Sequence, residues 1–465
     1  MSKKLNTFGK WLCVATLTLA FFSSCHPDPK PDVTETGRLT ASYDNEVVLK
    51  WNELLLEVER FTPGYLPPVS ARAFAYIGLT AYETTVPGMP EYQSLANTYY
   101  GELQLPKADA NIVYHYPAAL NNAYAAIILK LYPTAPAAQL SKIMTLQNYF
   151  NAKFESEVSS KVFEASVEWG QSVANAVFAW SKTDLAGHEG YLHNVDPTYV
   201  PPTGPGLWQP TYPNFGKALL PHWGDVRLFA ATSDDRCKDP LPFSTDENSE
   251  FYVQAKETEN KVNLIKQDQN YQDRWIAAFW SDDCPALTLT PAGRWIAIAD
   301  QALTSSHADL SKAVVVTAKV GMAVCDAGIR AWGEKFRFNL LRPVDYIRNV
   351  MGHSNWNTMM CPDGAGQYFT PAFPTYPSGH GTFGGAASEV LTAEFGDDFA
   401  MTDKCHEHRS EFIGTPRSFH SFYEMGQENA YSRIPIGVHF RMDSDAALDL
   451  GLRIGRKVNA LPWKK

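Results

Sequence analysis

The spacing of apolar residues constrains this chain more than any other feature. Val47, Val48, Trp51, Leu54, Leu55, Val58 and Phe61 recur every three to four positions, which is one stripe of an amphipathic helix. The same period runs through 69–84, 111–131, 137–154 and 158–181, and again through 251–265, 271–280, 290–306 and 311–336. Alternating patterns are scarce, so the fold class is all-α, with helices burying their stripes against one another. Apolar residues make up 45% and charged residues 19%, enough apolar surface for a large core. The period fails between 187 and 241, where Pro201, Pro202, Pro205, Pro210, Pro213 and Pro221 stand among glycines and Trp208. A long ordered segment of this kind usually serves function or covers something.

The first residues follow a different logic. Lys3, Lys4 and Lys10 precede an apolar run over 11–22, too short to span a membrane and suited to a signal segment. It ends Phe22-Ser23-Ser24-Cys25, which resembles a bacterial lipobox with Cys25 as the lipidated residue. A Pro-rich stretch over 26–32 follows, as a tether would. The expected organisation is a lipoprotein signal peptide over 1–24, a tether over 25–44 and one helical domain over 45–465. The mature protein is then lipid-anchored in the cell envelope, outside the cytoplasm, as a periplasmic or outer-membrane lipoprotein.

Charge and cysteine usage narrow the partners. The net charge of −10, from 40 basic and 50 acidic residues, argues against a nucleic-acid partner. Beyond Cys13 and Cys25 the cysteines are Cys237, Cys284, Cys325, Cys361 and Cys405, an odd number at wide spacing that fits neither a zinc site nor a disulfide framework. Cys237–Cys284 and Cys361–Cys405 are candidate pairs between which the sequence does not decide. Cys405-His406-Glu407-His408 reads as an exposed polar turn rather than a metal site.

Three short motifs carry the chemistry. In the first, Lys335 and Arg342 stand seven apart, and Pro343 turns the chain at Arg342 so that the arginine can lean into a pocket. In the second, Phe373-Pro374-Thr375-Tyr376-Pro377-Ser378-Gly379-His380 meets a helix rich in small residues. A helix start presents free N–H groups to an anion, Gly379 lets backbone approach closely, Ser378 adds a hydroxyl and His380 a group that titrates near neutral pH. The third places Arg433 and His439 on either side of Pro435 and Gly437, with Asp443 expected to cap the next helix.

Together, Lys-x6-Arg-Pro, Pro-Ser-Gly-His and Ser-Arg-x5-His form a signature. It resembles that of the vanadium haloperoxidase and type 2 phosphatidic acid phosphatase superfamily at every fixed position. The resemblance reaches further, to 47–53, 71–75, 206–211 and 221–224, and so covers roughly 45 to 460. It implies two four-helix-bundle-like halves around one oxyanion site, with vanadate as cofactor or phosphate in its place. On that reading Lys335, Arg342, Ser378, Gly379 and Arg433 bind the oxyanion, His439 binds its central atom and His380 is the acid–base. The family also places an acidic residue opposite the arginine of the third motif. Asp283, chosen over Asp282, takes that position. Trp332 and Phe373 stand where the fungal chloroperoxidase branch has aromatic residues, giving a chloroperoxidase-like substrate pocket. The resemblance allows a homo-oligomer.

Elementary chemistry supports the same site. Lys335, Arg342 and Arg433 supply three positive charges, which balance a tetrahedral oxyanion of two or three negative ones. With vanadate the reaction is oxidation of halide by hydrogen peroxide to hypohalous acid. The rival reading is a lipid-anchored acid phosphatase, in which His439 takes a phosphoryl group from a phosphate monoester and His380 protonates the leaving alcohol.

Overall fold

The structure is a computed structural model that describes residues 37–284, 287–361, 367–407, 409 and 413–465. The signal segment, Cys25 and most of the expected tether lie outside the described residues, as does His408. The helical body reaches into the tether region: Thr40 is buried, and its hydroxyl donates to Thr85 O at 3.1 Å.

The first group of helices is α1 (Glu46–Phe61), α2 (Pro67–Thr85), α3 (Leu95–Thr98), α4 (Tyr116–Leu131), α5 (Ala137–Glu155) and α6 (Ser160–Ser181). After the irregular stretch come α7 (Glu250–Lys266), α8 (Tyr271–Phe279), α9 (Pro291–Ser305) and α10 (Leu310–Phe338). The chain closes with α11 (Pro343–Asn349), α12 (Gly379–Phe395), α13 (Phe422–Tyr431) and α14 (Arg441–Asn459). Two three-residue strands, β1 (Met401–Asp403) and β2 (Arg417–Phe419), pair as an antiparallel hairpin. The all-α class holds, and the apolar stripes predict most helix bounds to within a few residues. Helix α4 is the exception, beginning at Tyr116 rather than Asn111. His115 ends the preceding loop by accepting the Ala118 N–H on Nδ1, and Pro117 suits the first turn.

Helix α10 is the axis of the molecule, packed against α2 on one side and α12 on the other. The crossing with α2 is close because it is lined by glycine: a Cβ on Gly321 would lie 2.7 Å from Phe74 O, and one on Gly78 would lie 2.8 Å from Ala318 Cα. Helices α13 and α14 cover the rest of α12, whose own core side is fully buried. This packing brings the start of α12 beside the end of α10.

The irregular stretch between α6 and α7 holds only one short 3-10 turn, Trp223–Asp225. Its portion over 229–237 is nevertheless held, because one face of α10 supplies hydrogen-bond partners there. Asp326 accepts the N–H groups of Phe229, Ala230 and Ala231, each at 2.7 Å. Arg330 Nε donates to Asp235 O at 2.9 Å, and Glu334 accepts the Cys237 N–H at 3.2 Å. Three successive turns of helix therefore replace the strand or helix partners that the segment lacks. Among the described residues, no helix is long and apolar enough to cross a membrane.

Neither candidate cysteine pair forms. Cys284 is bonded to Cys361, while Cys237, Cys325 and Cys405 are free. The turn at 405–407 is not exposed at His406, which is buried and paired through Nε2 with Asp282 at 3.0 Å. A buried arginine, Arg294, draws both Asp282 and Asp403 inward and the imidazole follows. Among the described residues no group of His, Cys, Asp and Glu is arranged to hold a metal ion.

Candidate active site

The three motifs converge where α10 ends, α12 begins and α14 begins. Helix α10 stops at Phe338 because Asn339 adopts a left-handed conformation, φ 48°, from which it bonds back to Lys335 O. Arg342 is extended at the N-cap of α11, with Pro343 as the first helical residue. The turn foreseen at Pro343 therefore occurs, and Lys335 and Arg342 meet across it instead of along one helix.

Each cation is buried and held mainly by carbonyls. Lys335 Nζ donates to Thr375 O at 2.9 Å, to Pro374 O at 3.2 Å and to Pro377 O. Arg342 donates from Nε to Phe373 O and from Nη1 to Val438 O, both at 2.9 Å. Arg433 donates from Nη1 to Trp280 O at 3.0 Å, and its Nη2 lies 3.7 Å from Asp283 Oδ2. Burial pushes all three cations below their ordinary values, and the Arg342 charge lowers Lys335 further. Carbonyl dipoles satisfy N–H groups but carry no net negative charge.

The second motif is shaped for an anion. Ser378 is the N-cap of α12, and its Oγ accepts the Gly381 N–H at 3.3 Å. Capping uses an oxygen lone pair, so the hydroxyl proton stays available for donation. Gly379 and His380 are the first two helical residues, where N–H groups have no intrahelical acceptor. A Cβ on Gly379 would come within 3.3 Å of the Trp332 ring, so a larger residue would crowd the aromatic against the site.

The two histidines are held differently. His439 Nδ1 lies 2.9 Å from Asp443 Oδ2 and 3.0 Å from Thr375 Oγ1. A carboxylate accepts only, so the proton sits on Nδ1 and the lone pair on Nε2, which faces Arg342 Nη1 at a long 3.4 Å and can coordinate in place of that contact. Burial, then Arg342 and Lys335, hold His439 well below the usual imidazole value, which keeps it neutral. His380 Nδ1 lies 3.6 Å from Asp283 Oδ2, and burial followed by Arg433 lowers it likewise. Asp283 bridges the second and third motifs, and Asp282, its neighbour, turns away to Arg294. Burial pushes the Asp283 carboxyl up to about 6 despite Arg433.

Every site residue singled out from the sequence lies in this cluster apart from Cys25, which is outside the described residues. Trp332 and Phe373 pack with ring centres 4.9 Å apart and planes tilted by 51°, and wall the cavity that Asp283, His380, Arg433 and His439 also line. Asp443 is the correction: it sits one turn inside α14, whose N-cap is Phe440, and its carboxylate accepts from Phe440 N, Thr375 and His439. Its spacing of four from His439 carries the signal that was overlooked. Thr375 carries none in sequence.

The donor set fits a tetrahedral oxyanion. Arg342 Nη2, Arg433 Nε and His380 Nε2 are buried with no protein partner among the described residues. Such polar atoms cost folding energy unless a polar guest pairs with them. A vanadate or phosphate would be held by Lys335, Arg342, Arg433, Ser378 and the Gly379 N–H, with His439 Nε2 toward its central atom.

Known proteins resemble this chain in sequence and fold. Residues 315–462 match the model of the VCPO second helical-bundle domain. Vanadium chloroperoxidase from Curvularia inaequalis is 26% identical over 517 aligned positions, covering 92% of this chain and 83% of that protein. The crystal structure of a bacterial vanadium-dependent iodoperoxidase superposes with a TM-score of 0.76 at 28% identity, covering 92% of this chain and 98% of that one. A bacterial vanadium-dependent chloroperoxidase in its holo form superposes at 0.66 with 17% identity, covering 90% and 98%, and shares the fold. With the three motifs assembled on such a scaffold, these similarities support the vanadium haloperoxidase and type 2 phosphatidic acid phosphatase superfamily for this chain.

Proposed function

We propose that the protein is a vanadate-dependent haloperoxidase that oxidises halide with hydrogen peroxide. The carrying observation is His439, neutral and fixed by Asp443 with its lone pair on Nε2, beside Arg342 Nη2 and Arg433 Nε, buried donors with no protein acceptor among the described residues. Bound vanadate would supply a Lewis-acidic centre that activates hydrogen peroxide toward halide. The remaining chemistry belongs to the chain. Lys335, Arg342 and Arg433 neutralise the oxyanion, and the start of α12 adds hydrogen bonds. The net reaction takes up one proton as halide and peroxide become hypohalous acid and water. His380 moves that proton at Nε2, with Asp283 near Nδ1 stabilising the imidazolium that forms. Trp332 and Phe373 shed water from the halide and favour the chloroperoxidase type of pocket.

The site also suits phosphate, and phosphate monoester hydrolysis through His439 is the competing outcome. The test uses the chain without its first 25 residues. One arm adds orthovanadate, peroxide and bromide or chloride and follows bromination or chlorination of a phenolic dye. The other follows aryl phosphate hydrolysis without vanadate. Halogenation that vanishes in His439→Ala supports the proposal. Phosphate release blocked by vanadate, with no halogenation at any peroxide level, would leave the phosphatase.

We propose that lipidation of the lipobox-like Cys25 holds the enzyme on the outer side of a membrane; the Cys284–Cys361 disulfide supports an oxidising compartment. Radiolabelled palmitate incorporation into the intact chain, abolished in Cys25→Ala, tests the anchor.

A further inference from the structure

The two residues that flank the Arg433 guanidinium each stand next to a half-cystine. Asp283 Oδ2 lies 3.7 Å from Arg433 Nη2, and Cys284 follows it. Met360 Sδ lies 3.8 Å from the same Nη2, and Cys361 follows it. The disulfide between Cys284 and Cys361 joins these two strips across 77 positions of chain.

Neither strip is part of a helix. The first leaves α8 at Phe279 and gives Trp280 O to Arg433. The second is tied by Met359 N to Ile436 O at 2.9 Å, three residues beyond Arg433. Both contacts to Nη2 are long, and contacts of that length orient a guanidinium weakly unless their scaffold is fixed. Closing so wide a loop without a covalent link costs chain entropy. Asp283 also lies 3.6 Å from His380 Nδ1, so its placement bears on the acid–base group as well. Cys284 lines a surface cleft of 310 Å³ that meets the site at Asp283, which gives a small reductant a route toward the bond.

We propose that Cys284–Cys361 is a positioning element of the oxyanion site, clamping Asp283 and Met360 onto Arg433, so that reduction lowers oxyanion affinity while the helical body stays folded. The inference rests on the reading of the site as an oxyanion site. In the reduced state both sulfurs are thiols and Arg433 is oriented by Trp280 O alone. With dithiothreitol as reductant, the reagent closes to its cyclic disulfide as Cys284 and Cys361 each gain a proton and an electron.

The test measures phosphate binding by calorimetry and orthovanadate binding by vanadium NMR on the purified chain. Four forms are compared: oxidised wild type, dithiothreitol-treated wild type, Cys284→Ser/Cys361→Ser, and Ile143→Ala as a destabilised control on α5 far from the site. The two forms without the bond are expected to bind about tenfold more weakly at unchanged helicity. Reoxidation should restore affinity, and Ile143→Ala should keep it. The pH profile of halogenation should move with the bond, because Asp283 serves His380. Binding by the double variant within twofold of wild type overturns the proposal, as does global unfolding of both reduced forms, which would assign the bond to stability. If oxidised wild type binds neither anion, the oxyanion reading itself fails.

Discussion

Asp282 and Asp283 are neighbours in sequence and belong to two buried ionic clusters of opposite design. Asp282 joins Asp403 around Arg294, which donates to both at 3.2 and 2.8 Å and stacks on Phe279 and Trp280. Burial alone would lower the Arg294 pKa, but the two carboxylates outweigh it and raise it. Asp283 joins a cluster where Lys335, Arg342 and Arg433 gather around Asp283 and Asp443, and burial pushes all three cations downward. The first cluster is closed and neutralised by protein. The second keeps donors in reserve. Buried arginine alone therefore does not mark an active site; buried cations whose donors converge without protein acceptors do.

The widest separation should come from removing one arginine from each cluster. Arg294→Ala strands two buried carboxylates and should cost about 3–5 kcal/mol in urea unfolding, with oxyanion affinity of the folded fraction unchanged. Arg433→Ala removes a like charge from a crowded site. It should leave the unfolding midpoint nearly unchanged while oxyanion affinity falls by about 100-fold or more in calorimetry. Equal destabilisation by both would erase the distinction.

The hold on His439 is the next test. Asp443→Ala frees the imidazole to rotate and change tautomer, and should weaken orthovanadate binding by about 10–100-fold in vanadium NMR. Loss of His406 from the closed cluster, in His406→Ala, should leave that affinity alone.

A smaller effect concerns pH. The folded value of Asp283, about 6, lies above its ordinary 3.8, so folding disfavours its ionised form. Below pH 4 the carboxyl is neutral in both states and costs nothing. The cost develops as pH rises to about 6 and is constant above it. Asp283→Asn should accordingly gain about 1–3 kcal/mol relative to wild type between pH 4 and pH 7, read from thermal melts without oxyanion. A difference that stays flat across this range would mean Asp283 is fully paired, as Asp403 is.

The smallest effect lies at the aromatic wall. Phe373 packs under the Arg342 guanidinium at 4.8 Å and the Lys335 ammonium at 5.2 Å. Phe373→Ala should reduce chloride turnover relative to bromide by about three- to tenfold, through loss of cation–π support and entry of water. Steady-state assays with each halide would show it.

The legible part of this molecule is what side-chain identity alone determines. Helix stripes are written in apolar spacing, and Lys335, Arg342, His380, Arg433 and His439 are residue types that a buried anion demands. The illegible part depends on which distant strands of chain meet. Asp443 was placed as a helix cap because its spacing from His439 acquires meaning only once the turn at Phe440 brings the carboxylate beneath the imidazole. His406 was placed at the surface because nothing nearby in sequence discloses Arg294. The disulfide joins positions 77 apart, a separation from which no pairing can be deduced.

The stitching of the irregular stretch to α10 has a consequence for cooperativity. Asp326, Arg330 and Glu334 lie four residues apart on the central helix of the fold, and between them hold the backbone from Phe229 to Cys237. The same helix ends at Lys335. Releasing this segment, 229–237, would strand three charged side chains on the axis that carries the site, so segment, axis and oxyanion pocket are expected to open together.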